Sequence, residues 1–405
     1  MSVAILYECA ETDEMGIRLT AEERGVDLAF IPFRKVSVSL NGDGYGIRSR
    51  GRDFRGVLED VRVVLNRAQG KNRRLYAANL MEALGKHVLN PSSVEHLCYS
   101  KFRTLLKLWR SGVKIPKTVY IPCDSHDIIT DSGRVIHNEE DITDLIQGGL
   151  GDGPVVIKPD GGTHGKMVTL AKNRDELVEN VAKTEPSIIN PVGFVAQEFV
   201  DKWFFDLRIV VAKKYGEAPY CYKGALARAG YKDFRTNTYL GNMVFGVDLP
   251  PTVQKASVRC GEVIGQGSEA WVLALDAMID VGDNRIAEDE YVMSEFDKLT
   301  PYFDVVGEVK RDKNKITDFV SWNRRLEAAY ENYMGAEAYG NVKRIIEECV
   351  KKERENVLFH EANSCPEFWE QTRLIAGINL AKPLLECAES LIERQPTMGL
   401  PKKTG

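Results

Sequence analysis

The sequence predicts an α/β protein built of several lobes, and three observations lead there. Short apolar strands alternate with amphipathic helical stretches from the first residues onward. At 405 residues the chain is long enough for two or three domains with well-buried cores. In the stretch VVIKPDGGTHGKMV, Val155 to Val168, one lysine on an apolar strand leads through a glycine-bearing turn into a second apolar strand. That order suits a hairpin that grips phosphates, although a plain turn after a buried strand has the same look. It lacks the G-x-x-x-x-G-K-[ST] pattern and the strong helix start of a P-loop.

The elements follow in order. VAILYE, EMGIRLTAEERG and VDLAFIP read as strand, helix, strand, and DVRVVLN and HVLNP are further strands around the helical LYAANLMEALG. This layer ends near Pro91, so residues 1–97 are expected to form an N-terminal α/β domain. From Ser100 the helix KFRTLLKLWRSG leads to the strand TVYIP, and a polar loop with Asp124, Ser125, Asp131, Ser132 and Gly133 reads as a surface excursion. The glycine hairpin follows, within an expected central lobe of residues 98–190. The remainder, 191–405, is expected to be a C-terminal lobe. It opens with FVAQEFVDKWFFDLRIVVA, two apolar runs joined by a turn, and continues through YCYKGALARAGYKDFRTNTYLGN, whose Gly, Asn and Thr mark loops. Residues 280–356 are highly charged. Phe319, Trp322, Leu326, Tyr330 and Tyr333 recur at helical spacing, as do Val342, Ile345, Ile346, Cys349 and Val350, with Gly335 and Gly340 between them. The segment is predicted to be a helical hairpin whose stripe packs on the rest of the lobe. NVLFHEANS returns as a strand, and GINLAKPLLECAESLIER closes as a helix with a buried face.

Composition excludes several classes. The 54 basic and 59 acidic residues, net −5, give no footprint for nucleic acid or an anionic membrane, and neither is expected as a partner. No apolar run approaches the roughly 20 residues that span a bilayer, and the start MSVAILYECAETDE lacks a leader's basic and apolar regions, so a cytoplasmic protein is expected. Eight scattered cysteines show no C-x-x-C, and six histidines show no metal-binding spacing. Chemistry should therefore rest on carboxylates and cations.

Lys158 can neutralise a polyphosphate, while Gly161, Gly162 and Gly165 allow positive φ and close approach of backbone N–H groups. In HEANS, Glu361 and Asn363 lie two apart on a strand and project from one face, giving hard oxygen donors suited to Mg²⁺; an edge-strand polar pair is the alternative. Asp276, in the apolar strand WVLALDAMI, needs a metal or a salt bridge to be tolerated there. Arg67, Arg73 and Arg74 in NRAQGKNRRLY could bind a carboxylate or be a solvated basic helix start.

Lys101, Lys158, Glu198, Asp206, Arg228, Arg235, Asn237, Asp276, Glu361 and Asn363 occur in this order around the glycine loop. In ARAGYKDFRTNT, in FVAQEFV with FFDLR, and in ALDAMI with FHEANSCPEF, the chain resembles the ATP-grasp superfamily and its RimK/LysX branch of amino acid ligases. The resemblance covers nearly everything outside 280–356. It implies an ATP-grasp fold with a Rossmann-like domain in front, ATP and Mg²⁺ or Mn²⁺ as cofactors, and formation of an amide bond through an acyl phosphate. Lys101 and Lys158 would be the phosphate cations, with Gly162, Thr163 and Gly165 in the loop. Glu198 and Phe199 would line adenine, the latter through its backbone. Asp206 would accept from the ribose hydroxyls, or else pair with Arg208. Arg228 would stabilise the transferring phosphoryl group, and Arg235, Thr236 and Asn237 would hold phosphate or metal. Asp276, Glu361 and Asn363 would hold the metal. A carboxylate substrate and an amino acid such as glutamate are the implied substrates, with a carrier protein, a protein tail or a coenzyme as acceptor, and a homo-oligomer, dimer or tetramer, is expected. A phosphotransferase and a non-catalytic nucleotide-binding module are the alternatives. Two features depart from the compact members of the branch: Met167, where many loops have glycine, and the inserted 280–356 segment.

Overall fold

Every residue from Val3 to Leu6 is buried, as a strand covered on both faces requires. In the computed structural model, which describes residues 2–41, 44–122, 128–129, 132–133, 135–136, 138–162, 165–184, 193–231, 233–236 and 241–393, this stretch is strand β1 (Val3–Tyr7). It lies between β2 (Leu28–Pro32) and β6 (Val63–Arg67), and β7 (His87–Leu89) follows beside β6, all parallel. Helix α1 (Thr12–Arg24) begins with a capping box made by Glu11 and Glu14 and ends at Gly25 in the left-handed region. Val3 and Ile5 face Ile17 and Ala21 of α1, while Ala4 and Leu6 face Ala77, Ala78 and Met81 of α3 (Lys71–Ala83). An antiparallel sheet of β3 (Val36–Asn41), β4 (Gly44–Ser49) and β5 (Arg52–Asp53), followed by the short α2 (Arg55–Asp60), was not legible in the sequence.

Helices α4 (Ser92–Tyr99) and α5 (Lys101–Arg110) lead to a second, antiparallel sheet. Its order is β12 (Thr169–Ala171), β11 (Val155–Pro159), β13 (Gly193–Glu198), β8 (Thr118–Pro122). The pair β9 (Ile128–Ile129) and β10 (Val135–Ile136) stands apart, and α6 (Asn138–Leu150) and α7 (Arg174–Ala182) cover the sheet through Ile142, Ile146, Leu177 and Val181.

The third sheet runs β17 (Met243–Asp248), β16 (Gly224–Ala229), β14 (Phe205–Lys213), β18 (Trp271–Ile279), β19 (Val357–Asn363), with β15 (Tyr220–Cys221) paired to β14. Gly224–Ala229 is thus a buried strand rather than the loop expected there. Its small residues suit a central position where Gly224 lies against the Ala376 carbonyl. Helix α8 (Pro251–Gly265) packs beside β14 and β18. The inserted segment contains three helices, not a hairpin: α9 (Asp289–Lys310), α10 (Phe319–Gly335) and α11 (Glu337–Lys352). Its stripe faces inward as predicted. Trp322, Leu326, Tyr330 and Tyr333 are all fully buried, and the Tyr333 hydroxyl donates to the Val244 carbonyl at 3.1 Å. The segment's ends meet, since Asp280 N–H donates to the Asn356 carbonyl at 3.0 Å. After β19, α12 (Thr372–Ile375) and α13 (Ala381–Glu393) return the chain to the first sheet, where α13 packs on α1 and β6.

Candidate active site

Helix α5 starts at the site because Ser100 caps it, its hydroxyl accepting from Arg103 N–H at 3.0 Å. The Phe102 N–H donates to the Asp160 carboxylate at 2.7 Å, and Phe102 stacks on Tyr120 with ring centroids 4.1 Å apart. The helix start is thereby locked to the turn that follows β11. Lys101 reaches across that turn and donates to the Gly162 carbonyl at 2.6 Å. Of the three glycines expected to use positive φ, Gly165 does so, at 67°, and Gly161 and Gly162 do not. Gly162 offers its carbonyl instead. Lys158 donates to Gln197 Oε1 on the neighbouring strand at 2.7 Å. Burial pulls its ammonium down to about 8 against the attraction of Glu361, and Lys101 and Lys202 push the same way.

Strands β18 and β19 bring the acidic residues together. Asp276 is in register with Glu361, and the pairing shifts there so that Ala277 faces Phe359 and His360 becomes the extra residue of a bulge. Asp276 has taken the salt-bridge alternative. Arg208 donates to it through Nε at 2.9 Å and Nη2 at 3.0 Å, and Arg228 Nη1 adds a third bond at 3.2 Å. Asp206 gives both carboxylate oxygens to Arg228, at 2.7 and 2.8 Å, so within the protein its partner is Arg228 and not Arg208. Arg228, expected at a transferring phosphoryl group, is 4% exposed and spends its guanidinium on these two acids. A buried guanidinium has to be compensated, and two carboxylates at neighbouring register positions do so. Burial would raise the carboxyl pKa of Asp206 and Asp276, but the arginines outweigh it and hold both below the usual carboxylate range.

Glu361 is arranged differently. Its contacts are ammonium groups, Lys101 at 3.9 Å and Lys71 at 4.0 Å, and they hold it ionised although burial opposes this. Asn363, on the same strand, donates to Asp276 Oδ2 at 3.4 Å. Among the described residues no three His, Cys, Asp or Glu side chains cluster as a metal cage. The donor set is nevertheless one a hard divalent cation accepts: an ionised carboxylate with oxygens not held by guanidinium groups, and an amide and a second carboxylate beside it. In such a site Glu361 would be the principal ligand, with Asp276 at its edge.

Where β13 ends, the Glu198 carboxylate accepts from Lys117 N–H at 2.8 Å, and the Phe199 N–H donates to the Pro154 carbonyl at 2.9 Å. Beyond them Lys202 is buried and donates to the Thr236 hydroxyl at 2.9 Å. Arg235 grips Asp233 with two bonds, of 2.9 and 2.6 Å, and reaches the Gly165 carbonyl through Nη1 at 3.1 Å. Thr163 and Asn237 lie outside the described residues.

Three site residues were missed by sequence reasoning. Lys202 stands in a run of aromatic residues that masked it. His360 occupies the bulge, and burial and Lys158 lower its pKa to about 4, which keeps it neutral. Lys71, the first residue of α3, has its ammonium buried without a hydrogen-bond partner among the described residues. The neighbouring arginines are not the solvated group expected. Arg67 is buried against Asp13 at 2.8 Å and Arg74 against Glu95 at 2.8 Å, and only Arg73, bonded to Glu8 at 2.7 Å, is exposed.

The chain is similar to known proteins in sequence and in fold. The family model for the RimK-like ATP-grasp domain matches residues 101–288. The coenzyme gamma-F420-2:alpha-L-glutamate ligase of Methanocaldococcus jannaschii is 29% identical over 204 residues, 49% of this chain and 60% of that enzyme. The alpha-aminoadipate–LysW ligase LysX of Sulfurisphaera tokodaii is 26% identical over 255 residues, 63% of this chain and 78% of that enzyme. Over 96% of the chain the fold is similar to D-alanyl-alanine synthetase A from Vibrio cholerae, with a TM-score of 0.54 at 9% identity, covering 98% of that protein. VanG D-Ala:D-Ser ligase from Enterococcus faecalis gives a TM-score of 0.54 at 13% identity over 96% of this chain and 98% of its own. The fold is that of ATP-grasp ligases.

Proposed function

From a chain whose residues 101–288 form a RimK-like ATP-grasp domain, we infer an ATP-dependent carboxylate–amine ligase that joins an amino acid to an acceptor through an acyl phosphate. The observation that carries this reading is the approach of Lys101 to an ionised Glu361, with Lys158 close by. Cations from two elements beside a metal-competent carboxylate suit a polyphosphate whose terminal group is to be transferred.

ATP would lie between the second and third sheets, with its phosphates toward Lys158 and Lys101. A bound Mg²⁺ on Glu361, Asn363 and Asp276 would neutralise charge at the transferring phosphoryl group. A carboxylate oxygen of the acceptor attacks the γ-phosphorus, the bond from that phosphorus to the β,γ-bridging oxygen breaks, and ADP leaves. The amine of the second substrate then attacks the acyl carbon. A C–N bond forms, the C–O bond to phosphate breaks, phosphate departs, and the amine's proton passes to phosphate or solvent. The Arg235 contact to Gly165 would keep the glycine turn over the site and exclude water from the acyl phosphate. Arg228 would act as the buried tie that fixes Asp206 and Asp276 under the nucleotide.

The relatives' names direct the substrate choice to glutamate or a homologous amino acid, with a carrier protein or a coenzyme carboxylate as acceptor. The test is ADP release in a screen of pooled amino acids against candidate carboxylates, with hydroxylamine trapping the intermediate as a hydroxamate. Turnover that gives AMP and pyrophosphate would sink the acyl-phosphate mechanism, and ADP release that proceeds without any amine would favour a phosphotransferase. Glu361→Gln should abolish turnover while circular dichroism and thermal melting stay those of the wild type, because charge is lost without change of shape.

A further inference from the structure

The end of β6 and the start of α3 carry four cations, Arg67, Lys71, Arg73 and Arg74, and three of them are committed. Arg67 bonds Asp13 and Glu14, Arg73 bonds Glu8, and Arg74 bonds Glu95. Among the described residues Lys71 has no hydrogen-bond partner, yet its Nζ is buried and its side chain is only 12% exposed. Removing an ammonium from water without giving it hydrogen bonds is costly, so such a group persists where an anionic oxygen arrives with a ligand.

Its position is built, not accidental. Glu95 accepts from Ser364 Oγ at 2.7 Å as well as from Arg74, and Asn90 donates to the carbonyls of Ser364 at 2.7 Å and Val272 at 2.8 Å. Arg67 reaches the Pro366 carbonyl at 3.2 Å. These bonds dock the N-terminal domain on the ends of β18 and β19 and bring Lys71 to 4.0 Å from Glu361. The cations reach Glu361 from different elements: Lys71 from α3 at 4.0 Å and Lys101 from α5 at 3.9 Å, whereas Lys158 lies on β11 and Lys202 follows β13. Lys71 is therefore the ammonium that the N-terminal domain brings to Glu361.

We propose that Lys71 is a substrate-binding residue that receives the acceptor's glutamyl-type carboxylate and holds it against the γ-phosphoryl group. This rests on the ligase reading above. Phosphate already has Lys101 and Lys158 from the lobes that enclose it. A carboxylate attacking in line comes from the side opposite ADP, and two anions can approach there only with a cation between them. A metal on Glu361 would repel the Lys71 ammonium and turn it toward that incoming anion.

The test uses full-length wild-type, Lys71→Met and Lys71→Arg proteins in calorimetry. The first probe is Mg·AMP-PNP. The second, added in its presence, is N-acetyl-L-glutamate, which has a blocked amine and offers both α- and γ-carboxylates. Lys71→Met should bind Mg·AMP-PNP within about two-fold of wild type and the carboxylate at least about ten-fold more weakly, with Lys71→Arg recovering most of the loss, as for one charge-assisted contact. An equal loss for the nucleotide would place Lys71 on the phosphates and overturn the proposal. Unchanged carboxylate affinity would overturn it too, as would a wild type that does not bind the carboxylate at all. The ligase reading is scored separately by wild-type ADP release in the pooled screen, which does not involve the Lys71 variants.

Discussion

Arg228 shows how burial decides what a single residue does. Its guanidinium holds both oxygens of the buried Asp206 and adds a third bond to Asp276, which Arg208 already pairs. Arg228→Met should therefore cost on the order of 3–5 kcal/mol of folding stability rather than act only on turnover. Arg228→Met combined with Asp206→Asn should recover part of that loss, which chemical denaturation of the two single variants and the double variant will measure as a coupling energy. Lys158 gives a second expectation, with a definite sign. Burial holds its pKa at about 8, below the ordinary lysine value, so the ammonium is fully present below pH 8 and is lost as pH rises through 8. A polyphosphate favours the charged form, so Mg·ATP binding near pH 8 should take up protons, and affinity should fall above that pH. Calorimetry in buffers of different ionisation enthalpy reads the uptake directly; a binding enthalpy independent of buffer would refute it. Lys158, Glu361 and Asn363 were legible because the lysine–glycine order and a two-residue spacing on one strand are local patterns, whereas Lys101 came only with the resemblance. The partners of Asp206 and Asp276 were not. Which arginine faces which acid is set by strand register, with Arg208 opposite Asp276 and Asp206 opposite Arg228, and register joins residues far apart in sequence.

At the scale of elements, alternation counted along the strand from Phe359 would have misplaced the acid, although it sets Glu361 and Asn363 correctly on one face. Strict alternation would set Phe359 and Glu361 on one face, but the bulge at His360 pairs Phe359 with Ala277 and Glu361 with Asp276, which point to opposite sides. Glu361 reaches the site because of that extra residue, which no local pattern in HEANS announces. The inserted helices show the opposite case, in which helical periodicity was enough to predict an inward stripe. What periodicity could not tell was that the segment lies flat on β17. Tyr333 donates to Val244, and the Tyr339 hydroxyl accepts from Gly246 N–H at 2.9 Å, so the insertion satisfies backbone groups of the third sheet. Replacing residues 282–354 by a short linker would uncover that strand and should yield insoluble protein, not the nucleotide-binding core that an outward-extending insertion would have left. Milder changes rank the contacts. Trp322→Ala, at a fully buried position, should cost about 3–5 kcal/mol by cavity formation, and Tyr333→Phe about 1 kcal/mol by loss of one hydrogen bond, both measurable as shifts in denaturation midpoint.

For the whole molecule, the question is which parts can move around the nucleotide. The N-terminal domain is pinned to the third sheet by Asn90, Glu95 and Arg67, and the α5 start is pinned to the glycine turn by Lys101 and Phe102. Among the described residues, the central sheet's glycine turn meets the third sheet's loop differently, through one bond from Arg235 to the Gly165 carbonyl, with Asp233 orienting the guanidinium from its other side. One hydrogen bond contributes only about 1 kcal/mol, enough to bias a closure without locking it. Arg235→Met should leave the fold and Lys158 in place while the turn opens more often. Water would then reach the acyl phosphate before the amine does, so ATP would still be consumed but less amide would form. The expected result is a fall of about five-fold or more in amide formed per ADP released, the scale set by losing that closure bias, with thermal stability within a degree or two of wild type. Asp233→Asn should reproduce part of the effect, because the guanidinium keeps its charge and loses its orientation. A coupling ratio unchanged in both variants, measured by product mass against ADP, would show that the Arg235–Gly165 contact has no part in keeping water from the intermediate.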